Sequence, residues 1–150
     1  MPDLPRKKVG LIACSGEELA EGTVTRRAVR KVLETIRPDD TVTLCLPLFL
    51  AGGEGERAFA RYYPTIAVDG CDKRCAALAT EKYSAKPAAS IVVTEVAKGC
   101  GCGAIGTARR LDESGMRLAE IVAEKIVEET DRLLKRKPKG TTRGAGREGR

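Results

Sequence analysis

The 150-residue chain contains no histidine and no tryptophan, and aromatic residues make up only 3% of it. The absence of histidine excludes Ser-His and Cys-His nucleophilic pairs and acid–base catalysis by imidazole. The shortage of aromatic residues means that a core has to be built from aliphatic side chains, which the hydrophobic content of 42% can supply. No apolar run approaches the roughly 18 residues that a membrane-spanning helix needs. The apolar stretch at residues 9–13 is also too short for a signal peptide, so we expect a cytoplasmic protein with no membrane partner.

The net charge of +6 comes from the C-terminal end of the chain. Residues 135–150 contain seven Lys or Arg and one Glu, whereas residues 1–134 contain twenty basic and twenty acidic residues. The end segment is rich in glycine and has no large apolar side chain, which predicts a basic disordered tail at 135–150 behind a single domain at 1–134. We interpret the tail as a solubilising end and expect no nucleic-acid binding beyond weak, salt-sensitive contacts of this tail, because the rest of the chain carries no excess positive charge.

Short apolar segments rich in Val, Ile and Thr alternate with segments of helical periodicity. The predicted strands cover residues 9–13, 41–46, 65–69 and 90–96. The predicted helices cover residues 26–36, with Thr25 as the N-cap, and residues 54–62, 73–84 and 114–135. This alternation predicts a single-domain α/β fold of the three-layer, Rossmann-like (doubly wound) kind, with a mainly parallel sheet of about four strands.

The six cysteines all fall at or just beyond the predicted C-terminal ends of these strands. They are Cys14, Cys45, Cys71, Cys75, Cys100 and Cys102. In an open parallel sheet this edge forms the ligand-binding crevice, and core packing alone would also place cysteines in mid-strand. Because a reducing compartment disfavours structural disulfides, these cysteines are better explained as metal ligands or redox groups. The simplest alternative is that individual cysteines are small buried apolar residues, and Cys45, inside an apolar run, fits that alternative best.

Four thiolates suffice for tetrahedral zinc binding without histidine. Cys71 and Cys75 would share one face of a helix if that helix began immediately after the Asp-Gly turn. Their spacing is not that of a zinc ribbon, so the pair alone is a weak motif, and its combination with the other strand-end cysteines carries the prediction. Asp69, Gly70 and Ser15 are expected beside the ligands, with Asp69 capping the turn and the next helix or orienting a ligand.

The residues around these cysteines resemble the DGC domain family, which is named for an Asp-Gly-Cys motif and described as zinc-binding. The resemblance covers about residues 9–96. It is carried by Val-Asp-Gly-Cys at 68–71, Cys-Ala at 75–76, Cys-Ser-Gly at 14–16 and Gly-Thr-Val-Thr at 22–25. Family members often follow the second-strand cysteine with a Leu-Ala-Gly-Ile-Gly-like loop, where this chain has Leu-Pro-Leu-Phe-Leu-Ala-Gly-Gly at 46–53.

The resemblance implies that four cysteines bind zinc. On this sequence the four positions fall on Cys14, Cys45, Cys71 and Cys75. The family has no well-defined biochemical role, so the resemblance implies a ligand rather than an activity, with a structural or metal-handling function.

Cys100 and Cys102 lie outside the family pattern, in a Gly-Cys-Gly-Cys-Gly stretch with almost no side-chain obstruction. One interpretation is a flap that adds ligands to the same centre, which would then hold two zinc ions or an iron–sulfur cluster. A second interpretation is a dithiol that exchanges metal or electrons with a partner, or serves a thiol-dependent enzyme. A third is a flexible loop with incidental cysteines.

Other catalytic motifs fail on inspection. A phosphate-binding Cys-x5-Arg loop starting at Cys14 would require arginine where Ala20 stands, and a radical-type cluster motif would require cysteine where Leu78 stands. Residues 101–106 spell G-x-G-x-x-G, but they follow the fourth predicted strand rather than the first. The sequence therefore assigns no catalytic residue, and it favours a metal-binding protein over an enzyme.

Overall fold

The computed structural model describes residues 7–136. The strands are β1 (Val9–Ala13), β2 (Thr41–Thr43), β3 (Thr65–Asp69) and β4 (Ala89–Val92). The helices are α1 (Ala20–Lys31, continued by a π-helical turn Val32–Ile36), α2 (Leu46–Ala51), α3 (Glu54–Tyr62), α4 (Cys75–Tyr83), α5 (Val93–Cys100) and α6 (Glu113–Leu133). Residues 137–150, most of the predicted basic tail, lie outside the described residues.

All four described strands are parallel, in the order β2-β1-β3-β4. The chain moves from β1 outward to β2 and then returns to the other side of β1 to form β3. The direction of winding therefore changes between β1 and β3, which is where ligands bind in sheets of this kind. The predicted single α/β domain with a parallel, Rossmann-like sheet is confirmed.

Side chains alternate between the two faces of the sheet and meet a layer of helices on each. Val9 and Leu11 on β1 belong to the larger core, which also contains buried residues of α1 and α6. Ile12 belongs to the smaller core on the opposite face, with Phe59 of α3 and Ala76 of α4. This period of two produces the predicted three layers.

Buried and partly buried ion pairs fasten α6 near the N-terminal edge of the sheet. Arg37 binds Asp131 through two bonds of 3.0 and 2.8 Å, and both side chains are buried. The carboxylate of Asp131 is the main cause that raises the pKa of Arg37. Arg136, the second residue of the predicted tail, binds Asp40 at 2.6 and 3.0 Å. The chain is therefore attached to the fold at least as far as Arg136.

The predicted strands at 9–13 and 65–69 and the predicted helix at 54–62 match the structure residue for residue. The predicted helices at 73–84 and 114–135 are confirmed within two residues at each end as α4 and α6. The structure differs from the prediction at the start of α1, the end of β2 and the end of β4.

Helix α1 begins at Ala20, so Thr25 is a buried residue inside the helix and not its N-cap. Strand β2 ends at Thr43 because α2 begins at Leu46, with Pro47 in its first turn. Strand β4 ends at Val92, and the Val-rich segment after it is the helix α5. Its residues Val93, Val96 and Ala97 pack against the larger core at helical spacing, which outweighs their β propensity.

Candidate metal centre

Cys14 lies at the point where the winding of the sheet reverses. It directly follows β1, and its backbone N–H donates to the carbonyl of Val68 on the neighbouring strand β3, at 3.0 Å. The backbone N–H of Gly70, just past the end of β3, donates to the sulfur of Cys14 at 3.4 Å. The Cys-Ser-Gly and Asp-Gly-Cys motifs, which are far apart in sequence, are therefore in direct contact.

The thiol of Cys14 is half-buried at the edge of the smaller core, near the hydroxyl of Thr25 on α1. Burial is the largest influence on it and raises its pKa. The Gly70 N–H and the hydroxyl of Thr25, at 3.7 Å from the sulfur, act in the opposite direction, while nearby Asp69 and Cys75 add to the increase. The site thus supplies two hydrogen-bonding groups to Cys14 but not enough positive charge to stabilise a free thiolate, and a bound cation would supply that charge.

Three glycines bring the backbones of these motifs into contact. A Cβ atom at Gly22 of α1 would lie 2.1 Å from the carbonyl oxygen of Gly16, and one at Gly16 would lie 2.4 Å from the Cα atom of Gly22. A Cβ atom at Gly70 would lie 2.9 Å from the backbone nitrogen of Gly22. Gly16 also has a φ of +44°. Side chains at these positions would separate the segments that hold Cys14 and Cys71.

Helix α1 also supplies side chains that hold the Cys14–Gly16 loop. The hydroxyl of Thr25 donates to the carbonyl of Gly22 at 2.6 Å, besides lying near Cys14. The guanidinium of Arg26 donates to the carbonyl of Ser15. Ser15 has a φ of +74°, a left-handed backbone conformation that is unfavourable for residues other than glycine, and the hydrogen bond from Arg26 helps to hold it.

Asp69, the last residue of β3, caps the helix that follows the motif. Its buried carboxylate accepts hydrogen bonds from the backbone N–H groups of Ala76 at 2.6 Å and Ala77 at 3.1 Å. Burial raises the pKa of this carboxyl, and the two N–H groups oppose that rise. The predicted capping role is confirmed. Its consequence for the site is that Asp69 fixes the position at which Cys75 begins α4.

Cys71 and Cys75 do not lie on a shared helical face, because the helix does not begin immediately after the Asp-Gly turn. Cys71 is half-buried in a turn closed by a bond from the Arg74 N–H to its carbonyl, 3.2 Å long. Arg74 has a φ of +52°, and α4 starts after it with Cys75, whose side chain is exposed. The two thiols are therefore presented by a turn and by the first residue of a helix.

Cys45 is exposed and directly precedes α2. Its neighbours Leu44 and Leu46 belong to the same small apolar cluster as Cys14 and Ala76, the residue after Cys75. The segments carrying these three cysteines therefore pack around one cluster at the C-terminal edge of the sheet.

The described structure does not bring the four cysteines into a closed set of ligands. Among residues 7–136, no three Cys, Asp or Glu side chains are grouped so that they could hold a metal ion. Cys14, Cys45, Cys71 and Cys75 are all free thiols. As a donor set, four free thiols fit zinc.

Cys100 and Cys102 occupy a different position from the one that the sequence indicates. Cys100 is the last residue of α5 rather than part of a loop after a strand, and the structure joins it to Cys102 by a disulfide bond. In this state neither sulfur is a thiolate ligand.

Sequence reasoning did not identify Thr25 and Arg26 as residues that hold the Cys14 loop. The sequence carries only one signal for them, the Gly-Thr-Val-Thr stretch at 22–25, and it was interpreted as the entry to a helix. The contacts depend on Gly22 packing against Gly16, which only the folded chain shows.

Among the helices of residues 7–136, none has the length and apolar character that crossing a membrane requires. A search of the curated proteins and a search of the solved structures each find no significant match. The family model of the DGC domain, in contrast, matches residues 10–104, which is well over half of the chain. The matched range contains all six cysteines, and it extends past the predicted resemblance at 9–96 to include Cys100 and Cys102. The chain belongs to the DGC domain family.

Proposed function

We propose that this protein binds zinc through the thiolates of Cys14, Cys45, Cys71 and Cys75 and has a metal-handling role in the cytoplasm. The observation that carries the proposal is the contact between the Gly70 N–H and the Cys14 sulfur, 3.4 Å long, at the switch point of the sheet. This contact joins the Cys14 segment to the Asp-Gly-Cys motif, and Cys14, Cys45, Cys71 and Cys75 are all free thiols.

The chemistry of the donor set favours zinc over hard cations. Thiolates are soft ligands that select zinc and iron–sulfur clusters, whereas calcium and magnesium require oxygen ligands. Asp69 is the nearest carboxylate in the motif, and both of its oxygens are already engaged in capping α4. If Asp69 bound a metal ion through its oxygens, the hydrogen bonds that cap α4 would be weakened or lost.

The exposure of the thiols favours metal handling over a purely structural role. Cys45 and Cys75 are exposed, and Cys14 and Cys71 are half-buried. A metal ion held by two exposed and two half-buried thiolates remains accessible to a second set of ligands, which is what transfer to a partner requires. A structural zinc site is usually closed. The reducing cytoplasm would keep these thiols free for metal binding.

Elemental analysis of the full chain, purified without chelators under anaerobic conditions, tests the proposal. We expect about one equivalent of zinc and a colourless sample. A brown sample with absorbance near ~400 nm would instead indicate an iron–sulfur cluster and overturn the zinc assignment. A metal-free protein that stays folded and takes up no added zinc would overturn metal binding altogether.

Two serine substitutions test the ligand set directly. Cys71→Ser should abolish stoichiometric zinc, and Cys102→Ser, the matched control outside the set, should leave zinc unchanged. Cys45→Ser provides a second test at an exposed position, where a folding defect is not expected. Unchanged zinc in Cys71→Ser, or in a folded Cys45→Ser, would refute the four-cysteine assignment.

A further inference from the structure

The disulfide between Cys100 and Cys102 is a second thiol site, apart from the four free thiols described above. We propose that these two cysteines form a reversible dithiol that exchanges with low-molecular-weight disulfides. Disulfides inside mesophilic cells are usually transient and catalytic or redox-sensing rather than structural. The proposal is independent of zinc binding.

The backbone at the end of α5 brings the two cysteines together. Gly101 has a φ of +69°, its N–H donates to the carbonyl of Lys98 at 3.3 Å, and the Cys102 N–H donates to the carbonyl of Ala97 at 3.1 Å. This pair of bonds is a Schellman motif, which reverses the chain at a helix C-terminus. Because the bonds are made by the main chain alone, they persist when the two sulfurs are reduced, and the dithiol stays positioned for closure.

The two sulfurs differ in access. Cys100 is exposed, whereas Cys102 is half-buried and packs against the larger core together with Ala97. A Cβ atom at Gly99, Gly101 or Gly103 would meet no heavy atom within 4 Å, so the surroundings of Cys100 are open to an incoming molecule. Because Cys100 is the more accessible sulfur, it attacks the small-molecule disulfide first, and Cys102 then attacks Cys100 to close the protein disulfide.

A groove next to Cys100 has room for the reacting molecule. It has a volume of about 540 Å³ and lies between β4, α5 and α6. Its lining includes Cys100, Ser90 and Val96, together with one lysine, Lys125, and three carboxylates, Glu95, Glu128 and Glu129. A groove of this size has room for a small-molecule disulfide, and its carboxylates can pair with the ammonium groups that glutathione disulfide carries.

The reaction is balanced without a further reagent. The Cys100 thiolate attacks one sulfur of the small disulfide, forms a mixed disulfide and releases one small-molecule thiolate. The Cys102 thiolate then attacks the sulfur of Cys100, closes the protein disulfide and releases the second small-molecule thiolate. Two electrons pass from the protein dithiol to the small disulfide, and the two protons of the protein thiols end on the two released thiols.

The test uses the reduced full chain and glutathione disulfide as the probe, followed by alkylation and peptide mass spectrometry. We expect the wild-type peptide that carries Cys100 and Cys102 to contain their internal disulfide and no bound glutathione, while adducts on the four other free thiols are found on their own peptides. Cys102→Ser and Cys102→Ala should both stop at a glutathione adduct on Cys100. In Cys100→Ser, the adduct on half-buried Cys102 should form about tenfold more slowly.

Two results would overturn the proposal. One is a stable glutathione adduct on Cys100 in the wild-type protein, which would show that Cys102 does not close the ring. The other is adduct formation on Cys102 in Cys100→Ser as fast as on Cys100 in Cys102→Ser. Cys71→Ser separates this test from the zinc proposal, because we expect it to lose zinc and to exchange at the Cys100–Cys102 pair at the wild-type rate.

Discussion

The two thiol regions of this protein both contain several glycines, and the glycines serve opposite purposes. Around Cys14, a Cβ atom at Gly16, Gly22 or Gly70 would lie within 3 Å of backbone atoms of another segment. Around Cys100, a Cβ atom at Gly99 would lie in open space. Similar sequence composition therefore produces a tightly packed region that fixes one cysteine and an accessible region that exposes another.

The difference also concerns what holds each cysteine. Cys14 is held by tertiary contacts, namely the N–H of Gly70 and the hydroxyl of Thr25. Cys100 and Cys102 are held by main-chain bonds at the end of one helix. A substitution that moves one segment of the Cys14 site also disturbs the packing of the fold. A substitution near Cys100 disturbs only the end of one helix. The predictions below test this contrast.

Gly22→Ala should have the largest effect. Its Cβ atom would lie 2.1 Å from the Gly16 carbonyl oxygen, and the obstacle is backbone, which cannot rotate away. We expect the free energy of unfolding to fall by about 2–3 kcal/mol, as for other overpacked positions, and zinc binding to weaken because the Cys14 loop moves. Urea denaturation followed by circular dichroism measures the first effect.

Gly99→Ala is the matched control, because Gly22 and Gly99 are both inside helices. On helix propensity alone, alanine should stabilise either helix by up to about 1 kcal/mol. We expect that gain at Gly99, where no heavy atom lies within 4 Å of the added Cβ. Equal effects of the two substitutions would remove the contrast between the regions.

Asp69→Ala should have the next largest effect. It leaves the buried N–H groups of Ala76 and Ala77 without their acceptor, which we expect to lower the free energy of unfolding by about 2 kcal/mol. Thermal and urea denaturation measure the loss. The same substitution at the neighbouring exposed Asp72 should change stability by less than about 0.5 kcal/mol. A similar loss at both positions would contradict the capping role.

The sequence predicts most of the fold because its strongest patterns are local. The continuous apolar runs at β1 and β3 are buried on both faces, and the structure gives them the predicted bounds. The prediction of a strand over residues 93–96 is wrong, because the β-branched residues there fit both periods and only packing against the core decides for the helix. Cys14 and Cys71 are predicted at one edge of the sheet because they follow predicted strands, and the structure places them just after β1 and β3.

The sequence does not predict the contacts that make the site. Thr25 was assigned to a helix N-terminus because threonine is a common cap, yet α1 starts five residues earlier and buries it. The packing of Gly22 against Gly16 is a contact between separate segments, so no local pattern in the sequence reveals it. The same holds for the Cys100–Cys102 pair, which lies at the C-terminal end of α5, a helix that the sequence does not predict.

Thr25→Val should have the smallest effect on stability and still distinguish the two regions. Valine keeps the shape of the side chain but leaves the buried carbonyl of Gly22 without its 2.6 Å hydrogen bond, which we expect to cost about 1 kcal/mol. The Thr25 hydroxyl also lies 3.7 Å from the Cys14 sulfur, and its single O–H can turn from Gly22 to a zinc-bound thiolate, so its removal should lower zinc affinity about tenfold, as for other groups that orient metal ligands. Competition with a chromophoric chelator measures that affinity.

Thr35→Val, at an exposed threonine, is the control and should change neither the free energy of unfolding nor the zinc affinity. Neither substitution should alter disulfide exchange at Cys100. Unchanged zinc affinity in Thr25→Val would mean that its hydroxyl serves α1 alone, and the contact with Cys14 would then have no part in metal binding.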